Sequence, residues 1–410
     1  MMKVLFLTLL DFSSLHEKGI YTDLLRQFAN NGHIVHVISP IERRKHQSTH
    51  MVTDGNTKIL KLRIGNIQKT NLIEKGISTL ALEFLFMKAI KRYYSSEMYD
   101  LILYSTPPVT LQRAVSYIKK RDGARSYLLL KDIFPQNAVD LGMLRQNGLR
   151  GIAYRYFRNK EKKMYHVSDY IGCMSKGNIH YLLRNNPELH NKIVEVCPNS
   201  IEPSYNLTRM PEKMREKYHI PYGKTVFIYG GNLGKPQGVK FVIDCIKDNR
   251  NNERAFFLIV GSGTEYKQLQ KFFDESNPRN ALLIQHLPKE EYELLVASCD
   301  VGLIFLDKRF TIPNIPSRLL SYMEASMPVL AATDVNTDLR EIITGGSFGM
   351  WNESGDVKGF SKNVLGLCDD TQRVQLGANS RAYLEKHYLA RHSYDIIMKH
   401  FKVKDVISNV

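Results

Sequence analysis

Residues 225–238 read TVFIYGGNLGKPQG. A run of apolar and aromatic residues passes straight into glycines and a lysine. Such a run predicts a buried strand, with a helix following near Gly238. Strand, glycine turn and helix in that order offer backbone N–H groups and a helix end to an anion, with Lys235 adding charge. Neither standard phosphate motif fits. A Walker loop needs Ser or Thr after its lysine, but Pro236 follows Lys235, and the spacing G-x-G-x-x-G fails because the glycines are adjacent. The same residues also suit a tight strand–helix turn with an exposed lysine.

Outward from this stretch the rhythm repeats. Apolar runs at Val4–Leu10, Ile34–Ile38, Leu101–Tyr104, Ser126–Leu130, Tyr170–Met174 and Ile193–Val196 alternate with amphipathic segments such as Gly19–Asn30 and Leu80–Tyr94. After 225 the runs are Phe256–Val260, Ala281–Gln285, Val301–Phe305 and Pro328–Ala331. This alternation predicts an α/β fold of two Rossmann-like doubly wound domains. Asn199–Lys224, with Pro203, Pro211 and Pro221, reads as the linker. The expected division is 1–199, 200–385 and a C-terminal helix, 386–410, returning to the first domain. Ligands of such domains bind at the carboxyl ends of the strands, here in a cleft between the two.

The chain has 410 residues, with 57 Lys+Arg against 41 Asp+Glu. A net charge of +16 suits nucleic acid, an anionic membrane or phosphate-bearing ligands without choosing among them. Five scattered cysteines with no Cys-x-x-Cys read as buried thiols of a reducing compartment. MMKVLFLTLLDFSS reads as a first strand rather than a signal peptide. The apolar stretch 77–90 carries Glu83 and Lys88 and is too short and charged to span a bilayer. These features predict a cytoplasmic protein.

Residues 312–334, IPNIPSRLLSYMEASMPVLAATD, start a helix with Ser317 as N-cap. Arg318 in its first turn is unfavourable beside the positive helix end, which a bound diphosphate would explain. Glu324, two turns on, is able to accept hydrogen bonds from ribose hydroxyls. An amphipathic helix with Leu319, Leu320 and Met323 buried and both charges solvated fits the same pattern.

From about 165 to 400 the chain resembles the family 4 glycosyltransferases. The likeness runs in order through SDYIGCMSKG, VCPNSIEP, GGNLGKPQG, FFLIVGSGTEYKQL, HLPKEEYELLVASCDVGLIFL, YMEASMPVLAATD and EIITGGSFGMWNESGD. In the first half, GHIVHVIS and KDIFPQNAVDLGML are similar to the group acting on lipid-linked precursors of bacterial capsule or O-antigen. The resemblance implies a retaining, metal-independent transferase of the GT-B type with facing domains. Its donor would be a UDP-sugar carrying an amino or deoxy sugar, and its acceptor an undecaprenyl-diphosphate-linked saccharide.

Carried onto this sequence, Gly231, Asn232, Lys235, Ser317 and Arg318 would hold the donor diphosphate and Glu324 the ribose. Gly261, Gly263 and Leu287 would flank the base. Lys235 and Arg318 would meet the charge of the leaving group. Many relatives carry Arg and Lys where Asn232 and Gln237 stand here, and Pro316 occupies the place of a sugar-binding glutamate. Asp132 in KDIFPQN is the candidate to orient or deprotonate the acceptor hydroxyl, and equally suits a turn. His16, Glu17 and Gly19 open the first helix on the acceptor side.

No metal site is evident, because His33 and His36 sit three apart on a strand and face opposite ways. No cofactor is expected. KAIKRYY (88–94) and 150–166 combine basic and aromatic residues, which suits an anionic membrane surface and peripheral attachment to the inner face of the bacterial membrane. Their aromatics also suit a domain core. Two rivals are a nucleic-acid binder, for which no module is present, and a sugar-nucleotide epimerase of the same fold. Release of nucleoside diphosphate only with an acceptor separates transferase from epimerase.

Overall fold

A computed structural model describes residues 1–68, 70–148, 151–205 and 209–401. The chain forms two compact units, Met1–Glu202 with the segment from Ala390, and Pro203–Leu389.

The first unit holds β1 (Lys3–Leu7), β2 (Ile34–Glu42), β3 (His50–Asp54), β4 (Thr57–Ile64), β5 (Leu101–Ser105), β6 (Arg125–Leu130), β7 (Tyr170–Cys173) and β8 (Ile193–Val196). Their order is β3-β4-β2-β1-β5-β6-β7-β8. All neighbours are parallel except the β3–β4 hairpin. The apolar runs become β1, β2 and β5–β8 because strands covered on both faces must be apolar throughout. β3 and β4 are additions to the expected set, since Lys58, Lys61 and Arg63 interrupt the apolar pattern of β4. Lys61 is only 2 % exposed. Its ammonium pairs with Asp11 and donates to Phe12 O at 2.6 Å and Ser39 Oγ at 3.2 Å, which offsets its desolvation.

The two histidines fall on opposite faces of this sheet. His33 bonds Tyr394 Oη at 3.0 Å through Nε2. His36 bonds Tyr99 Oη at 2.9 Å and stacks on Tyr94. The helix Ala390–Met398 packs on Ile20–Asn30, and the Ala390 N–H donates to Ile201 O.

The second unit holds β9 (Thr225–Asn232), β10 (Ala255–Ser262), β11 (Ala281–Ile284), β12 (Val301–Phe305), β13 (Val329–Thr333) and β14 (Gly349–Glu353). All are parallel, in the order β11-β10-β9-β12-β13-β14. Much of the stretch expected as linker belongs to this unit. Pro211–Lys217 is helical with Pro211 in its first turn, Met214 is buried, and Arg215 pairs with Asp300 at 3.2 Å.

Burial pushes the His36 imidazole down to about 4, against 6.5 in the unfolded chain. The folded state therefore binds this proton later as pH falls. Stability that is present above about pH 6.5 is lost toward pH 4, by up to about 3 kcal/mol. In urea unfolding, His36→Phe is expected to flatten that acid limb; a slope equal to the wild type would assign the limb to another group.

Candidate active site

In the second sheet the chain steps from β9 to β10 and β11 on one side, then to β12, β13 and β14 on the other. The connections diverge at the carboxyl end of β9, where doubly wound sheets bind ligands. GGNLGKPQG begins there. β9 runs three residues past TVFIY, because it stays paired with β10 through Gly231↔Gly261 and Asn232↔Ser262. Glycine permits this closeness. A Cβ on Gly261 would lie 1.9 Å from Gly231 O, and one on Gly263 2.3 Å from Leu233 O. These two glycines, expected beside the base, are required by the packing of the loop itself.

The other two glycines admit side chains. A Cβ on Gly230 would fall 1.8 Å from Tyr292 Oη, and one on Gly231 3.2 Å from Arg318 Nη2. Gly231 also has φ +127°, which favours glycine. The Arg318 guanidinium lies over the Tyr229 ring, 4.2 Å from its centroid. Its Nη1 is shielded from solvent and has no hydrogen-bond partner among the described residues. Tyr229, Tyr292 and Tyr322 stand around it. Burial raises all three phenols, Tyr292 to about 12, so none is a counter-charge at neutral pH. A buried cation normally meets a carboxylate. This one rests on aromatic faces instead, and its donors remain available to an anion.

The rest of the loop is tied down by its own amides. Asn232 Nδ2 donates to Gln237 Oε1 at 3.3 Å, and Gly234 N–H donates to the same oxygen at 3.0 Å. The two positions that are cationic in many relatives thus hold each other. Asp307 N–H donates to Pro236 O at 2.8 Å. Lys235 is exposed on the turn Lys235–Gln237, ahead of the helix Val239–Asp248. Leu287 is half-buried in the connection after β11, two strands from β9.

One expectation in the segment 312–334 is corrected. Ser317 stands at the N-cap position but has helical dihedrals (φ −62°, ψ −20°) and makes no side-chain cap bond. The turn has already begun, with Leu319 N–H donating to Pro316 O, so the hydroxyl is not aimed back at the first-turn amides. Glu324 is 5 % exposed at the end of the helix Arg318–Glu324, and its Oε1 accepts the Ser204 N–H at 2.7 Å. This bond anchors the start of the unit. No local pattern signals that Ser204 would arrive there.

The first sheet reverses its order between β1 and β5, and the expected acceptor-side residues cluster at carboxyl ends there. Asp132 follows β6. Asn137 Nδ2 donates to its two oxygens at 2.8 and 2.9 Å. Thr106 Oγ1, just after β5, accepts from the Asp132 N–H and donates to Asp132 O, both at 3.0 Å. Burial raises the Asp132 carboxyl to about 6. Burial, with a smaller contribution from the Asp132 charge, raises the phenol of Tyr21, on the first helix, to about 12. Thr106, Asn137 and Tyr21 were not singled out from the sequence, although Asn137 lies within KDIFPQN.

The loop after β1 bonds to itself and to the β3–β4 hairpin. Glu17 accepts from Ser13 and Ser14 N–H at 2.7 and 3.1 Å, and exposed His16 is 3.9 Å from Asp54. Gly19 precedes the helix Ile20–Asn30, its N–H directed at Asp23. None of these contacts joins the loop to Asp132. Among the described residues no group of three or more His, Cys, Asp or Glu is placed to hold a metal ion, and no helix is long and apolar enough to cross a membrane.

Residues 210–383 match the family model for glycosyl transferases group 1. The probable glycosyltransferase WbjE of Pseudomonas aeruginosa is 25 % identical over 327 residues, 78 % of each chain. The putative colanic acid biosynthesis glycosyl transferase WcaI of Escherichia coli K12 is 22 % identical over 247 residues, 59 % of this chain and 60 % of its own. Among solved structures, Anabaena HepE in complex with UDP and glucose superposes with a TM-score of 0.67 at 14 % identity, covering 98 % of this chain and 99 % of that one. The fold is thus the expected α/β class with two parallel-sheet domains, as in GT-B glycosyltransferases. The chain carries the glycosyl transferases group 1 domain over residues 210–383 and is a glycosyltransferase.

Proposed function

We propose that this glycosyltransferase moves a sugar, an amino or deoxy sugar, from UDP to an undecaprenyl-diphosphate-linked saccharide in capsule or O-antigen synthesis. The observation that carries the donor half is Arg318, a shielded guanidinium with unspent donors beside an exposed glycine turn. A diphosphate oxygen is the chemistry that completes it. Lys235 adds a second cation, so the chain's own charges meet the leaving group and no metal is invoked. The HepE complex contains UDP, which supports a uridine donor here. The polysaccharide setting draws on the likeness to WcaI, a putative colanic acid biosynthesis glycosyl transferase.

In the proposed step the bond from the anomeric carbon to the diphosphate oxygen breaks, and a bond from that carbon to the acceptor oxygen forms. The acceptor proton passes to Asp132. Arg318 and Lys235 take the charge that develops on UDP. Retention of the anomeric configuration is the family's expectation and is checked by NMR of the first-formed product.

Calorimetric titration with UDP and GDP, with and without Mg2+, is the direct test. UDP is expected to bind without metal, and Arg318→Ala to weaken it roughly 10- to 100-fold. Equal affinity in that variant would remove the donor site from β9. Glu324→Ala is expected to lower stability by about 1–3 kcal/mol through loss of the Ser204 bond while leaving UDP affinity unchanged; a large loss of affinity would assign Glu324 to the ribose.

Asp132 acts as a base only when ionised. The rate is therefore expected to rise with pH through about 6 and then level. Asp132→Asn should lower kcat roughly 100-fold or more and abolish that limb without changing UDP affinity. An unaltered pH profile in the variant would make Asp132 a turn residue.

A further inference from the structure

The helix Leu72–Tyr93 buries one face and leaves another bare. Leu82, Phe86, Ala89 and Ile90 enter the core. Ile77, Leu80 and Phe84 are 65, 53 and 68 % exposed, and their spacing of three and four places them on one stripe. The helix Gly151–Val167 exposes Ile152 and Tyr156. Lys160 of that helix pairs with Glu83 at 2.6 Å. Between the two helices runs a groove of about 490 Å³ whose apolar lining includes Leu80, Phe84, Met87 and Tyr156. Contiguous exposed apolar side chains of this size mark a contact surface.

The rim of the patch is cationic. Lys88 and Lys91 continue the stripe, and Arg155, Lys162 and Lys163 are exposed on the second helix. The carboxylates of the two helices are already taken: Glu74 by Arg43, Glu83 by Lys160 and Glu161 by Arg158. Lys162 pairs with Glu188 at 3.6 Å, and Lys88, Lys91, Arg155 and Lys163 remain as the cations around an apolar stripe, an arrangement that complements an anionic bilayer. Two copies of the same face would instead oppose like charges. Of the aromatics in the basic–aromatic stretches singled out in the sequence, Tyr94 and Tyr165 are core residues and Tyr156 lines the groove.

We propose that this face of the first unit docks on an anionic lipid surface. Ile77, Leu80 and Phe84 enter the boundary between headgroups and acyl chains, while the surrounding lysines lie on lipid phosphates. The proposal deepens the reading of a lipid-linked acceptor and rests on it for its purpose.

The test is cosedimentation of the full chain with vesicles of phosphatidylcholine alone and of phosphatidylcholine with phosphatidylglycerol. Binding is expected to the anionic vesicles, weakening as salt rises. Leu80→Ser with Phe84→Ser, both at solvent-facing positions, is expected to lower the partition coefficient roughly tenfold or more. Wild-type binding by the double variant, or no binding of the parent chain to anionic vesicles, would overturn the proposal. A dimer in sedimentation velocity that the double variant abolishes would overturn it in favour of a second copy. UDP titration of the same preparations keeps the questions apart. A double variant that binds UDP normally is folded, and a parent chain that binds vesicles but not UDP fails only the donor assignment.

Discussion

In each sheet the chain begins in the middle. β1 and β9 are laid between neighbours that the chain reaches in opposite directions. A right-handed crossover on each side then carries the connections away from one another, and the carboxyl end of the central strand is left uncovered. Lys235 lies on the connection that leaves β9 and Arg318 packs against it, while Asp132 follows β6, two strands from β1. The strand interiors, apolar on both faces, can do nothing but hold those ends in place.

At β9 this opening is filled in an unusual electrostatic way. Arg318 is held by the Tyr229 face and flanked by Tyr292 and Tyr322, where a salt bridge would have spent its donors. Aromatic support is directional enough to fix a planar guanidinium yet leaves its edge unsatisfied. The glycines follow from that arrangement: Gly230 gives Tyr292 room and Gly231 gives Arg318 room. The loop's amide pair, Asn232 with Gln237, provides shape without adding charge. Charge and geometry are thus supplied by different residues.

The fold was legible where strands are uniformly apolar, and TVFIY is the clearest case. It was illegible at β4, because the burial of Lys61 depends on Asp11, fifty residues away, and no local pattern encodes that meeting. The site divides in the same manner. Arg318 and the glycine turn could be found from residue type and order. Tyr229 stood in the quoted stretch but read only as core, since the sequence does not say which face of a ring will be occupied. The contact of the Glu324 carboxylate with the Ser204 amide was illegible for a matching reason, since it depends on a segment brought back by the chain. Ser317 failed because a preferred residue type does not guarantee the extended dihedrals that a cap requires.

Lys61 has a consequence for how the first unit orders itself. An ammonium cannot enter the interior alone without a penalty of several kcal/mol, and its partners Asp11 and Phe12 belong to the segment just after β1. Docking of the β3–β4 hairpin and fixation of that segment are therefore one cooperative event. Local opening at this sheet edge would release the start of the loop that carries His16 and Glu17, although neither residue touches β4 in the bonds described. The two regions form a single unit of local stability, with a buried charge as the latch.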